Sequence, residues 1–493
     1  MIRFGLIILC ATVTLVAQPV RVPRTWYTAA VKDWATHIAA LGVRPGHFTE
    51  AEYYAAPVEN VRTYPVYFPG REPAGYWDRI TKSAPQPLID ASKLKTQADW
   101  VTAGKRVWEE GDIIGFRNYS PEAIARFRTF NSPDLEEFKP SPDGTLPGPR
   151  WVVTARGVAV SAENCTQCHR RYEADGSKLD GPGLNDLTAF HVTGLVTNVP
   201  GMSTIPLPGD DEGKALWRSF IVPWVKDDIN DQLKAMSPVD LGRLFGSAFG
   251  PNITPRWSGS LFYPTKVPDL ITLKGQKYID HTGTHQYRGT ADIMRYAALV
   301  SFADSSDYGP HRILTDQQRR ISSRLPDEAL YAMALYIESL SPPPNPNPAG
   351  EASVAGQKIF QREGCAGCHA PPYYTNGKLT LAEGYRPSPE IARQYDILPI
   401  SVGTNPDLAL KTRKGTGFYK IPSLRGVWYR GRYLHDGALT TLEEMFNPDR
   451  LKPDFVPTGF KGLDKARAVP GHVFGLRLTA EDRAALIAFL KTL

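Results

Sequence analysis

Cys365-Ala366-Gly367-Cys368-His369 decides how this 493-residue chain is read. Two cysteines three positions apart, with a histidine directly after, match the attachment sequence of a c-type haem. The spacing follows from the chemistry: the two thiols add across the two vinyl groups of the ring, and the adjacent imidazole binds the iron. A helix-forming run, Val354-Ala355-Gly356-Gln357-Lys358-Ile359-Phe360, leads into the pentad, and a tight turn presents it. The same pentad occurs once more, as Cys165-Thr166-Gln167-Cys168-His169. Two alternatives fit less well. A split zinc site built from two Cys-x-x-Cys pairs has no need of a histidine after each pair, and a dithiol redox motif has no reason to occur twice with one. The reading is two covalently attached haems, held by Cys165, Cys168, Cys365 and Cys368, with His169 and His369 on the irons.

Working outward, the segment before the second pentad has a counterpart. Trp100-Val101-Thr102-Ala103-Gly104-Lys105-Arg106-Val107-Trp108 repeats the order of Val354 to Phe360: Ala-Gly, two polar residues, a β-branched residue and an aromatic. The first cysteine follows Gly356 by nine residues but Gly104 by 61, so the first copy carries a long insertion, which includes the Pro/Gly-rich run from Lys139 to Arg150. Both copies close on an apolar stripe at helical spacing, Leu330 to Leu340 and Arg483 to Leu493, each opened by acidic residues. Between them Pro342-Pro343-Pro344-Asn345-Pro346-Asn347-Pro348 forms a stiff linker that no helix crosses. The expected fold is mainly α, with two c-type cytochrome domains related by duplication and long loop insertions in the first. The expected boundaries are 97–341, a linker at 342–348, and 349–493. Residues 18–96, rich in Tyr, Trp and Pro, are expected to wrap the body as irregular structure with a helix over Trp26 to Leu41.

Composition agrees with a folded chain: 42% of residues are hydrophobic, 22% are charged, and aromatics are plentiful. A formal charge of +6 is modest at this length and gives no argument for nucleic acid. Of five cysteines, four belong to the pentads and Cys10 lies in the leader, so no thiol remains for a structural disulfide. Met1-Ile2-Arg3, the apolar run Phe4 to Val16, and Leu15-Val16-Ala17 before Gln18 resemble a secretory signal peptide over 1–17. As a helix that run of about 14 residues reaches about 21 Å, short of the roughly 30 Å of a bilayer core. The expectation is export to the periplasm with no transmembrane span in the mature chain, the compartment in which c-type haem is attached.

Two further runs, Phe418-Tyr419-Lys420-Ile421-Pro422-Ser423-Leu424-Arg425-Gly426-Val427 and Tyr433-Leu434-His435-Asp436-Gly437-Ala438-Leu439-Thr440-Thr441-Leu442-Glu443-Glu444, complete a pattern. With the pentads, they make the chain resemble the bacterial di-haem cytochrome c peroxidase superfamily. The resemblance covers Ala349 to Leu493 and the stretch Ala162 to Arg171, and little of the first hundred residues. That superfamily includes peroxide reductases, enzymes that oxidise protein tryptophans and rubber-cleaving oxygenases, so it does not fix the substrate. It implies one six-coordinate haem that passes electrons and one with an open position for peroxide or oxygen. It also implies a small redox-protein donor, a cytochrome c or cupredoxin, and leaves a bound calcium open.

Axial ligation decides which haem is which. In the second copy the candidates for the sixth ligand are His472, Met445 and His435; His472, in a Pro-Gly turn before the last helix, is preferred. The equivalent position in the first copy is Arg319, which suggests an open iron there, with His311 the nearest rival ligand. For proton handling at that iron His285 is preferred over His281. Trp257 is the candidate electron relay between the haems, with Trp217 and Trp224 as rivals. The preferred function is an exported di-haem oxidoreductase that takes electrons at the C-terminal haem and reduces hydroperoxide at the N-terminal one. An oxygenase acting on an organic substrate and a plain electron carrier are the alternatives.

Overall fold

The computed structural model describes residues 20–112, 117–129, 141–161, 165–183, 221–225, 250–255, 260–301, 307–313, 321, 323–462 and 464–493, with scattered positions between 232 and 248. The leader, Trp257, Trp217 and Arg319 lie outside the described residues.

Each Ala-Gly helix packs on the terminal helix of its own half. Helix α1 (Gln97–Glu110) begins at a capping box, in which Thr96 accepts from the Asp99 amide and Asp99 accepts from that of Thr96. It lies against α4 (Asp327–Ser339). Helix α5 (Glu351–Arg362) lies in the same way against α6 (Ala480–Lys491), which Thr479 caps. A glycine sets the distance in both pairs. A Cβ on Gly104 would stand 1.9 Å from the Ala332 carbonyl oxygen and 2.8 Å from Tyr336 Cβ; on Gly356 it would stand 1.9 Å from the Ala485 oxygen and 2.8 Å from Phe489 Cβ. Only a residue without a side chain lets two helix backbones approach this closely. The two contacts use the same i, i+4 positions on the partner helix.

Among the described residues 33% are helical and 16% lie in strands of small sheets, so the expectation of a mainly helical chain holds only in part. The largest sheet combines the insertion with the N-terminal extension. Strands β2 (Arg117–Asn118), β3 (Thr145–Thr154) and β4 (Gly157–Ser161) join β1 (Thr63–Tyr67) of the N-terminal extension in a four-stranded sheet, in the order β1-β3-β4-β2. Val66, Ile80, Phe127, Trp151 and Val160 form its own apolar core. The Pro/Gly-rich stretch that reads as loop thus runs into a ten-residue strand, paired on both sides. Gly157, at φ +110°, closes the hairpin.

A second sheet, β5 (Leu379–Leu381), β6 (Ile397–Ser401) and β7 (Phe418–Lys420), belongs to the C-terminal half. Lys420 donates its amide to the His281 carbonyl at 2.8 Å, which ties this sheet to the 278–286 hairpin of the first half. The extension fastens both. Thr36 donates to the Thr284 carbonyl and Ala39 to that of Gly415, each at 2.8 Å, while the Trp34 indole donates to Gln286 O at 3.0 Å. Of the helix expected over Trp26 to Leu41 only Thr28–Val31 forms, because the amides after it are spent on these partners. Between α4 and α5, Asn345 holds the proline-rich linker against the carbonyl of Lys491. No helix among the described residues is long and apolar enough to cross a membrane.

Candidate haem-binding sites

The second pentad is built by α5. The helix ends at Arg362, and Gly364, at φ +73°, reverses the chain into a short 3₁₀ turn, Cys365–Gly367. The His369 amide closes this turn on Cys365 O at 2.9 Å. The imidazole is oriented from behind: Nδ1 lies 3.1 Å from the carbonyl of Tyr374. A carbonyl only accepts, so Nδ1 carries the proton and the Nε2 lone pair is the one turned to a metal. The ring itself is buried.

Facing it is His472. The two ring centroids are 6.4 Å apart, with planes at 51°. Two imidazoles on opposite sides of one metal, each bonded at about 2.0–2.1 Å, would have ring centres about 6 Å apart. The pair therefore fits an iron held from both sides, and Cys365 and Cys368 stand on the same turn as His369. His472 adopts φ +47°, a conformation uncommon for a residue with a side chain. Its amide donates to Val402 O at 2.6 Å, and its Nδ1 is buried without a hydrogen-bond partner. Burial above all, and for His472 also the neighbouring His369, pulls both imidazoles down to about 4. They are neutral at pH 7, which is the form that binds a metal. Phe360, Leu439, Leu486 and Leu490 belong to the apolar core beneath.

The first pentad forms a helical turn, α2 (Cys165–His169). Its histidine is followed by a buried polar network. Arg170 donates to Asp180 at 2.6 and 2.9 Å and to Glu109 at 2.7 Å, and Tyr336 of α4 donates to Asp180 at 2.6 Å. Burial alone would raise the Asp180 carboxyl, but the hydrogen bonds and charge of Arg170 hold it below its ordinary range. Asp180 in turn fixes the turn at Gly181, whose amide donates to His169 O at 2.7 Å. Trp108 lies near His169, with ring centroids 6.1 Å apart. Cys165 Sγ lies 3.5 Å from Met333 Sδ. Among the described residues no three His, Cys, Asp or Glu side chains converge as a metal site would require, so the two cysteine pairs do not meet in a split zinc site.

The remaining candidates are spread over both halves. Met445 is buried in the short helix Leu442–Met445. His435 stacks near Tyr419 at 4.9 Å, and its carbonyl accepts from the Lys266 amide at 2.8 Å, a contact between the two halves. His281 uses Nε2 to donate to Lys266 O at 2.7 Å. His311 lies beside Trp224, 5.6 Å between ring centres. His285 is buried among aromatic rings, 4.3 Å from Trp34, 5.4 Å from Tyr296 and 5.6 Å from His47. Trp34 and Cys165 belong to one apolar cluster. Residues the sequence does not single out are Trp108, the Arg170–Asp180 pair, Trp34 with His47, and Arg450.

No family model and no curated relative matches the chain. Among solved structures it is similar to hydrazine synthase of Kuenenia stuttgartiensis, at 18% identity over 48% of this chain and 73% of that one, TM-score 0.28. It is also similar to a MauG-like protein associated with microbial copper homeostasis, at 16% identity over 59% and 91%, TM-score 0.29. The diheme peroxidase BthA of Burkholderia thailandensis E264 is matched at 16% identity over 50% and 78%, TM-score 0.26. Likenesses at such identities and TM-scores assign neither a substrate nor a mechanism.

Proposed function

We propose that this chain is a di-haem c-type oxidoreductase, made of two haem domains related by duplication, that reduces hydroperoxide with electrons from a small redox protein. The observation that carries this reading is the pair of imidazoles at the second pentad, where His369 faces His472 at a spacing that fits one iron between them. When bound, the haem irons supply the electron-accepting and peroxide-reducing chemistry.

The residues divide the remaining work. Cys365 and Cys368 would anchor one ring covalently, and His369 and His472 would hold its iron, an arrangement that suits electron entry. Cys165, Cys168 and His169 would hold the other, the haem proposed to take the peroxide. Arg170, Asp180 and Tyr336 stiffen the turn that follows His169, so that the imidazole keeps its position. His285 is the residue proposed to move the peroxide proton, since Trp34, which packs on its ring, shares an apolar cluster with Cys165. The leader is proposed to direct export.

Electron paramagnetic resonance of the fully oxidised protein tests the division. One low-spin and one high-spin haem in equal amounts is the expected spectrum. Two low-spin haems, neither opened by reduction, would make the chain an electron carrier instead.

A further inference from the structure

Among the described residues of the C-terminal half, Arg450 is the most deeply buried charged side chain, at 0% exposure. It sits in the short 3₁₀ turn Pro448–Leu451, which Asn447 opens by accepting from the Asp449 amide at 3.0 Å. A buried guanidinium is costly unless its donors are satisfied. Its five N–H groups form a rigid fork, and here four of them are spent on backbone carbonyls. Nε donates to Met445 O at 3.0 Å, Nη1 to Val469 O at 2.6 Å, and Nη2 to Gly471 O at 2.7 Å and His472 O at 2.9 Å. The main chain adds a fifth tie, from the Val469 amide to Arg450 O at 2.7 Å.

Three of the four side-chain bonds thus end on the segment 469–472, and one ends on the His472 carbonyl itself. That segment needs holding. Gly471, at φ +87°, is pressed on residue 404 so closely that a Cβ would stand 2.3 Å from its nitrogen, and His472 is at φ +47°. Left alone, a non-glycine residue in the left-handed region relaxes out of it. Without the guanidinium, the carbonyls of Val469, Gly471 and His472 would also lose their donor. An apolar side chain would fill the same volume without the cost of a buried charge, so an arginine here is suited to fixing one backbone arrangement.

We infer that Arg450 is a positioning residue, which clamps the 469–472 loop so that the His472 imidazole stays opposite His369. This rests on the reading of His472 as an iron ligand. It makes occupancy of the sixth position a property of the loop as well as of the histidine: releasing the clamp lets the imidazole leave while both haems stay attached.

The test compares Arg450→Lys and Arg450→Gln with His472→Gly, reading haem attachment, thermal unfolding and the spin state of the oxidised protein. Lysine keeps the charge but lacks the fork, so a change in that variant reports geometry. In the Arg450 variants that fold, the low-spin signal of the C-terminal haem is expected to fall by at least half, and added imidazole is expected to restore it. A role in packing alone would lower the unfolding temperature without a response to imidazole. An undiminished low-spin signal in a folded Arg450 variant, beside a high-spin His472→Gly, overturns the positioning role and leaves the ligand reading intact. Failure of both Arg450 variants to fold also overturns it, since the residue is then part of the core. If His472→Gly itself stays low spin, the ligand reading falls, and this inference with it.

Discussion

His472→Gly is expected to convert the C-terminal haem from low spin to high spin with little loss of folded protein. The two halves of that result have separate physical causes. The imidazole is the group 6.4 Å across from His369, so on the proposed reading its removal would leave a haem iron there one protein ligand. The backbone, in contrast, is at φ +47°, which glycine adopts without penalty. The substitution therefore relieves strain of order 1 kcal/mol while it deletes the ligand. The amide bond to Val402 survives, because it belongs to the main chain. Cyanide or azide, which a six-coordinate iron resists, is expected to bind the variant readily. A C-terminal haem that stays low spin would point to Met445, the next candidate the sequence offers there.

Gly356→Ala is expected to lower the stability of the C-terminal half. The new Cβ would lie 1.9 Å from Ala485 O and 2.8 Å from Phe489 Cβ, and a backbone carbonyl in mid-helix has nowhere to turn. Helices α5 and α6 must separate. Such overpacking costs about 1–3 kcal/mol and at times more, and the gain of about 1 kcal/mol in helix propensity offsets only part of it. The midpoint of the denaturant transition that carries this half should fall accordingly. Gly104→Ala, where a Cβ meets Ala332 O at the same 1.9 Å, is expected to do the same to the first half. Gly350→Ala is the comparison: a Cβ there meets nothing within 4 Å, so only the smaller cost of alanine at the helix N-cap, about 1 kcal/mol or less, is expected. An unchanged midpoint in Gly356→Ala would mean that the glycine does not set the helix spacing.

These two positions show why some of the molecule is legible in the sequence. Gly104 and Gly356 stand out because each lies in the same short pattern before an aromatic, and the contact each makes is with a helix that also repeats. The pentads are legible because covalent attachment demands a fixed local spacing. His472 stands out as a histidine in a glycine-flanked turn, in a half that needs a ligand. The four-stranded sheet is only partly legible. Alternation from Arg150 to Ser161 around a turn at Gly157 is a hairpin signal, but the prolines of the preceding stretch mask it, and β1 comes from a segment some eighty residues earlier. Arg450 carries no signal at all, since its partners are carbonyls, which every residue has. Its role depends on which backbone lies within reach, and only the fold supplies that. Trp108 reads as the aromatic twin of Phe360, and nothing in its spacing says that it lies beside His169 rather than only in the core.

The most direct test of the proposed division of labour is peroxide-dependent oxidation of a reduced cytochrome c or cupredoxin by the protein with both haems attached. Two donor molecules oxidised per hydrogen peroxide, with loss of turnover in Cys168→Ala although the C-terminal haem is still reduced by the donor, is the result predicted. Absence of peroxide turnover in the fully loaded wild-type protein, with the donor reducing the C-terminal haem normally, would contradict it.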